Sequence, residues 1–159
     1  MKRVSFILIA IFALSFGAKA QNAIGFRLGA GSASNVEISY QMQRSNANRL
    51  EFDLGWNNFV DKDNDSWTNI SLSGTYQWVF PIIDNLNWYV GPGAMLSFYD
   101  ISRSGNDSDH FGIGVGGQIG IEYAFDIPLT LSLDMRPMWN FIGYTKNWGG
   151  IALGVRYRF

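Results

Sequence analysis

The sequence has no cysteine among its 159 residues, which excludes a disulfide framework, a thiolate metal centre and a cysteine nucleophile. Its one histidine is His110, so any Ser–His–acid scheme must run through that residue. A surplus of positive charge is also missing: 12 Lys plus Arg stand against 13 Asp plus Glu, which leaves no basic footprint for nucleic acid. Pro-rich, Ser-rich and like-charge linkers are absent, so the chain reads as one domain. Beyond Phe16 no apolar run approaches the roughly 20 residues that a membrane-spanning helix needs.

What is present begins with an export signal. Lys2 and Arg3 form a basic start, Val4 to Phe16 an apolar stretch, and Ala18-Lys19-Ala20 a small-x-small cleavage site. Residues 1–20 are expected to be removed, leaving a domain at 21–159. The apolar stretch is short for an inner-membrane anchor, and Gln21 stands where a lipoprotein would carry its acylated Cys. Losing Lys2, Arg3 and Lys19 leaves nine basic residues of the 12 against 13 acidic ones, so the mature domain is acidic.

The rest of the chain alternates. Ile151, Leu153, Val155, Tyr157 and Phe159 interleave with Ala152, Gly154, Arg156 and Arg158, a bilayer-length strand with one apolar and one polar side. The same period-two pattern predicts strands near 23–31, 36–42, 49–56, 68–80, 87–99, 111–125, 129–139 and 149–159. Connections 43–48, 81–86 and 126–128 are short, 57–67 and 100–110 are long and polar, and 140–148 is intermediate; only 32–35 breaks this alternation of short turns and long loops. Pro92 and Pro137 fall inside predicted strands and each removes a ladder donor, so a bulge or strand end is expected near them.

Alternation alone does not separate a membrane barrel from a soluble one, because the two swap which face is apolar. Side-chain size does. The apolar face carries Phe26, Phe52, Trp56, Trp78, Trp88 and Trp139, too much volume for an eight-stranded interior, whereas the other face is rich in Gly and Ser. The bulky face therefore meets lipid, and the fold class predicted is an all-β, eight-stranded, antiparallel, transmembrane up-and-down barrel. Aromatics mark two interfacial belts: Tyr40, Trp78, Phe80, Trp88, Phe125, Tyr157 and Phe159 at the short turns, and Trp56, Phe98, Phe111 and Trp139 at the long loops. A periplasmic N-terminus places the loops 32–35, 57–67, 100–110 and 140–148 outside.

Parity puts Arg27, Glu37, Arg49, Glu51, Asp53, Glu122, Asp134, Arg136, Arg156 and Arg158 on the interior face, five acids and five bases. Unpaired charges in a narrow lumen are costly, so a self-neutralising plug is expected. Glu122 and Asp134, beside Arg136, Arg156 and Arg158, and Glu37, Glu51 and Asp53, across the lumen, are the candidate partners. A narrow gated pore is the alternative use of the same charges.

The eight-strand pattern, the run GIGVGGQIGIEYAFDIPLTLSLDMRPMW (112–139) and the ending ALGVRYRF (152–159) resemble the small outer-membrane β-barrel family common in Bacteroidetes, distantly similar to OmpX and the transmembrane domain of OmpA. The resemblance implies an integral protein of a Gram-negative outer membrane, with Tyr157 and Phe159 forming the C-terminal signal read by the barrel-assembly machinery. It implies no peptidoglycan-binding domain, since none is appended here, and no set biochemical role.

Motifs with a chemical look are weak. Gly112-Ile113-Gly114-Val115-Gly116-Gly117 matches a dinucleotide-binding pattern, but strand rather than helix follows it. Asp61, Asp63 and Asp65, with Asp107 and Asp109, are oxygen donors without the Gly and Glu that a calcium-binding loop requires. Eight-stranded outer-membrane lipid A deacylases pair a His with a Ser two positions later, whereas Gly112 follows His110 here, so the nucleophile is missing. The expected function is non-enzymatic, without a cofactor or metal, structural or interaction-mediating. Phe59, Trp67, Tyr144 and Trp148 are candidate surface contacts. The partners expected are lipid and lipopolysaccharide, the assembly machinery and an unidentified protein; the barrel is expected to be monomeric.

Overall fold

The computed structural model describes residues 22–31, 36–60, 66–103, 106–142 and 149–159. The export segment, Asp61, Asp63, Asp65, Tyr144 and Trp148 lie outside the described residues. The chain forms β1 (Ala23–Gly31), β2 (Val36–Ser45), β3 (Asn48–Val60), β4 (Ser66–Ile83), β5 (Leu86–Arg103), β6 (Asn106–Ala124), β7 (Leu129–Met135), β8 (Met138–Ile142) and β9 (Gly150–Arg158). Sequence neighbours pair antiparallel through β6 and β7, β9 pairs with both β7 and β1, and the sheet closes on itself.

β7 and β8 are one barrel strand cut by Pro137. The register against β6 runs unbroken across the proline, from Ile119↔Met135 to Gly116↔Met138, and shifts by one residue only past Gly114↔Asn140, while the Pro137 carbonyl accepts from Gly117 N (3.1 Å). Counted this way, the barrel has eight strands. Proline cannot donate to a ladder, which accounts for the break. Pro92 behaves differently from expectation. It stays inside β5, and the ladder to β4 skips a stretch between Thr75↔Gly93 and Trp78↔Val90 without a change of register. The missing donor is thus absorbed as a local gap, with neither bulge nor strand end.

The strand edges also move. The turns predicted at 43–48 and 81–86 tighten to Asn46-Ala47 and Asp84-Asn85, and Asn85 takes a positive φ of 66°, which Asn tolerates better than most residues. At the opposite end β3 to β6 run on into the segments predicted as loops 57–67 and 100–110. Backbone pairing continues there through polar residues such as Asn57↔Asn69 and Asp100↔Asp109.

Parity holds around the wall. Phe26 (61% exposed), Leu54, Trp56 (61%), Ile119, Leu133 and Trp139 (63%) face out, whereas Ser39, Glu51, Ser71, Gln77, Gln118, Ser132 and Arg156 are buried inside. A soluble monomer rarely shows an apolar patch above a few hundred Å², and here such side chains girdle the molecule. Aromatic pairs reinforce the two ends: Phe80 stacks on Trp88 and Tyr123 meets Phe125 edge-on near the short turns, while Phe98 leans on Phe111 toward the long loops. Among the described residues no helix is long and apolar enough to cross a membrane.

Candidate functional site

The interior is filled by a cross-lumen ion-pair network. Alternation aims odd positions of β3 inward, so Glu51 and Asp53 stack two residues apart on one strand with no exposure to speak of. Glu51 is the hub. One carboxylate oxygen accepts from Arg156 Nη2 (2.9 Å) and Gln41 Nε2 (2.6 Å), the other from Arg136 Nη2 (3.2 Å) and Gln118 Nε2 (3.0 Å). Asp53 also accepts from Arg136 Nη2 (2.5 Å) and lies at ion-pair distance from Arg27 (4.0 Å).

Arg27 on β1 bridges two further acids. It pairs with Glu37 on β2 and with Asp134 on β7, and Tyr89 Oη donates to the same Asp134 (3.0 Å). Glu37 is shared with Arg136 Nη1 (3.5 Å). Arg156 spends its remaining N–H groups on Ser39 Oγ (3.0 Å) and Ser132 Oγ (2.6 Å). Nearer the short turns Arg49 pairs with Glu122 (2.6 Å), and its guanidinium lies 4.7 Å from the Tyr89 ring centroid. Gln77 donates to Gln118, joining the Arg49 cluster to Glu51.

These contacts cross the lumen with charge-assisted hydrogen bonds, roughly twice as strong as neutral ones. Each partner is fixed from a different strand, so the same bonds brace the wall. Among the described residues no group of three His, Cys, Asp or Glu could hold a metal ion.

The sequence pattern of the family described as "outer membrane protein beta-barrel domain" matches residues 6–159. The chain belongs to that family. Among solved structures this outer-membrane β-barrel is similar to Neisserial surface protein A, at 21% identity, TM-score 0.60, over 88% of this chain and 96% of that one. It is similar also to the N-terminal β-barrel domain of Pseudomonas aeruginosa OprF, at 15% identity and TM-score 0.60 over 88% and 96%. A third is Ail, the attachment invasion locus protein of Yersinia pestis, at 15% identity and TM-score 0.58 over 88% and 97%, in a complex with the heparin analogue sucrose octasulfate. No curated protein sequence matches the chain.

Within this outer-membrane barrel, nine of the ten charges assigned to the lumen by parity meet one another: Arg27, Glu37, Arg49, Glu51, Asp53, Glu122, Asp134, Arg136 and Arg156. Arg158 does not join them. It sits half-buried at the short-turn mouth, where its Nη2 donates to the Phe125 (2.6 Å) and Ile127 (2.9 Å) carbonyls. The reason is position: it is the last residue of β9, level with the turn 125–128. The network therefore has four guanidiniums and five carboxylates instead of five of each. Of the candidate partners, Arg136 and Arg156 take those across the lumen on β2 and β3, leaving the nearer Asp134 to Arg27 and Glu122 to Arg49.

Sequence reasoning missed Gln41, Gln77, Gln118 and Tyr89, all buried inside. The signal that finds them is the parity already in use, since each falls on an inward position; being uncharged, they drew no attention. Tyr89 is fully buried although its neighbour Trp88 belongs to the outer belt. Of the surface candidates, Phe59 and Trp67 are register partners on β3 and β4, past the apolar band. Tyr157 faces outward on β9, and the Phe159 amide pairs with the Asn22 carbonyl (2.9 Å), tying the end of the barrel to its start. His110 lies on β6 opposite Tyr99, and Asp107 and Asp109 lie on the same strand.

Proposed function

We propose that this barrel is a non-enzymatic, plugged scaffold that stands with its N-terminus in the periplasm and presents the ends of β3 to β6 to partners outside the cell. One observation carries the reading: the wall is uneven. β3 to β6 span 13, 18, 18 and 19 residues, against 9 for β1, 10 for β2 and 9 for β9. Among the residues whose side chains are described, the large apolar ones facing out that lie farthest along these tall strands are Trp56, Ile70, Phe98 and Phe111. Pairing continues beyond them to Val60↔Ser66 and Arg103↔Asn106, a rise of roughly 15 Å at the spacing of strand residues. Two ladder-braced hairpins thus stand clear of the lipid band, and rigid presentation lowers the ordering cost of binding.

Replacing residues 59–67 with an Asn-Gly turn tests this, because Asn58 and Thr68 are register partners and such a turn closes a two-residue hairpin. Cells displaying the shortened barrel are expected to lose adhesion to extracellular-matrix proteins and to one another by at least tenfold, with the folded barrel still present on a heat-modifiability gel. Equal adhesion by both forms would refute the reading. A gated pore is the rival, and the occluding Arg136 and Arg156 pairs argue against it. Reconstituted in planar bilayers, the protein is expected to give no unitary current steps; steps that vanish on Arg136→Ala substitution would favour the pore.

A further inference from the structure

The short-turn mouth opens into a cavity of about 590 Å³ whose wall includes Arg44, Arg49, Arg158 and Glu122. That size falls within the range of small-molecule sites. In a chain with slightly more acidic than basic residues, this one cavity collects three guanidiniums and one carboxylate. The carboxylate, Glu122, forms an ion pair with Arg49 Nη1 (2.6 Å), and its Oε2 has no hydrogen bond besides that contact.

The guanidiniums are not saturated. Arg49 is 4% exposed; its Nε donates to Gln77 (2.5 Å), yet its Nη2 has no partner among the protein's own atoms. Arg158 places Nη2 on two carbonyls and leaves Nε, also buried, without a partner. A buried donor left unmade costs about 1–3 kcal/mol, more for a charged group, and both arginines line the same cavity. Arg44 stands exposed at the rim.

We propose that this cavity is a binding site for a compact oxyanion, a phosphate or carboxylate group. The free N–H groups of Arg49 and Arg158 hold it, and Arg44 covers it from the rim. Guanidinium forks match both groups in charge and geometry, better than an ammonium does. Gln41, Asn87 and Thr130 line the same wall and supply neutral donors and acceptors for the hydroxyls of a polar ligand. The bound anion completes the hydrogen bonds of two arginines the fold leaves short.

Calorimetric titration of the folded barrel in uncharged detergent, with inorganic phosphate and with citrate, tests the site. Saturable one-to-one binding of at least one anion is expected. Arg44→Gln, which removes an exposed side chain, and Arg158→Gln are each expected to weaken it about tenfold, the value of one charge-assisted hydrogen bond. Arg49→Gln also breaks the pair with Glu122, so its result counts only if heat modifiability shows a folded barrel. Absence of saturable binding for both anions, or wild-type affinity in both the Arg44 and Arg158 variants, would overturn the proposal. Repeating the titration in phosphatidylglycerol nanodiscs separates the sources. Loss of phosphate affinity there identifies a lipid headgroup as occupant, and unchanged affinity a free anion.

Discussion

Glu51→Ala is expected to destabilise the barrel by about 3–5 kcal/mol, because it strands the buried Arg156 and takes one of three carboxylates from the buried Arg136. Glu51 receives Arg156, Arg136, Gln41 and Gln118 at 2.6–3.2 Å, and no other carboxylate pairs with Arg156 among the described residues. Removing one partner of a buried pair costs far more than the pair contributes when intact, since the remaining charge has lost its water and its counter-ion. Adding Arg156→Met to the Glu51 substitution should therefore recover a sizeable part of the loss. Urea unfolding in detergent, followed on a heat-modifiability gel, reads both values. A Glu51→Ala cost below about 1 kcal/mol would show that the lumen solvates its charges like a surface, where ion pairs are worth that little.

Gly25→Val is the second large effect expected, a barrel that fails to close. Gly25 sits opposite Arg156 at the junction of β1 and β9. A Cβ built there would fall onto the Val155 carbonyl and lie 2.6 Å from Arg156 Cα, both backbone atoms that cannot rotate aside. Overpacking ordinarily costs about 1–3 kcal/mol, and a clash with a neighbouring strand's backbone at the closing ladder should exceed that, leaving little or no heat-modifiable species. Gly74→Ala is the control. A Cβ at Gly74 meets only the Phe52 ring, at 3.6 Å, an ordinary contact, and folding should be unchanged. Equal yields of folded protein from both variants would show that the approach of β1 to β9 relaxes easily.

Much of this architecture was legible in the amino-acid order, for one physical reason. A strand between lipid and a narrow lumen must alternate large apolar with small or polar side chains, so Phe26, Leu54 and Leu133 outward and Glu51, Asp134 and Arg156 inward follow from parity alone. The information ends where the lipid ends. Past Trp56 and Phe98 no apolar face is required, so Asn57, Asn58 and Asp100 read as loop while their backbones still pair. The choice among the candidate partners was equally hidden. Which arginine reaches which acid depends on how far each strand is staggered around the cylinder, and that stagger sends Arg136 to Asp53 and leaves Arg27 to Asp134. Arg158 shows the third limit: its inward parity was right, but its height at the end of β9 put it beside carbonyls instead of carboxylates.

The ladder that joins β1 to β9, from Ala23↔Arg158 to Gly31↔Gly150, sets the order of events in folding. Its two strands lie at opposite ends of the polypeptide, so no hairpin intermediate can supply it, and bringing them together carries the largest loop-closure entropy of any pairing in the molecule. Contacts so distant along the chain make for slow folding. Until β9 has been synthesised and delivered, β1 keeps an unpaired edge, and a chain this rich in aromatic strands is prone to associate through it. Escort of the unfolded chain to the membrane is thus a requirement written into the topology.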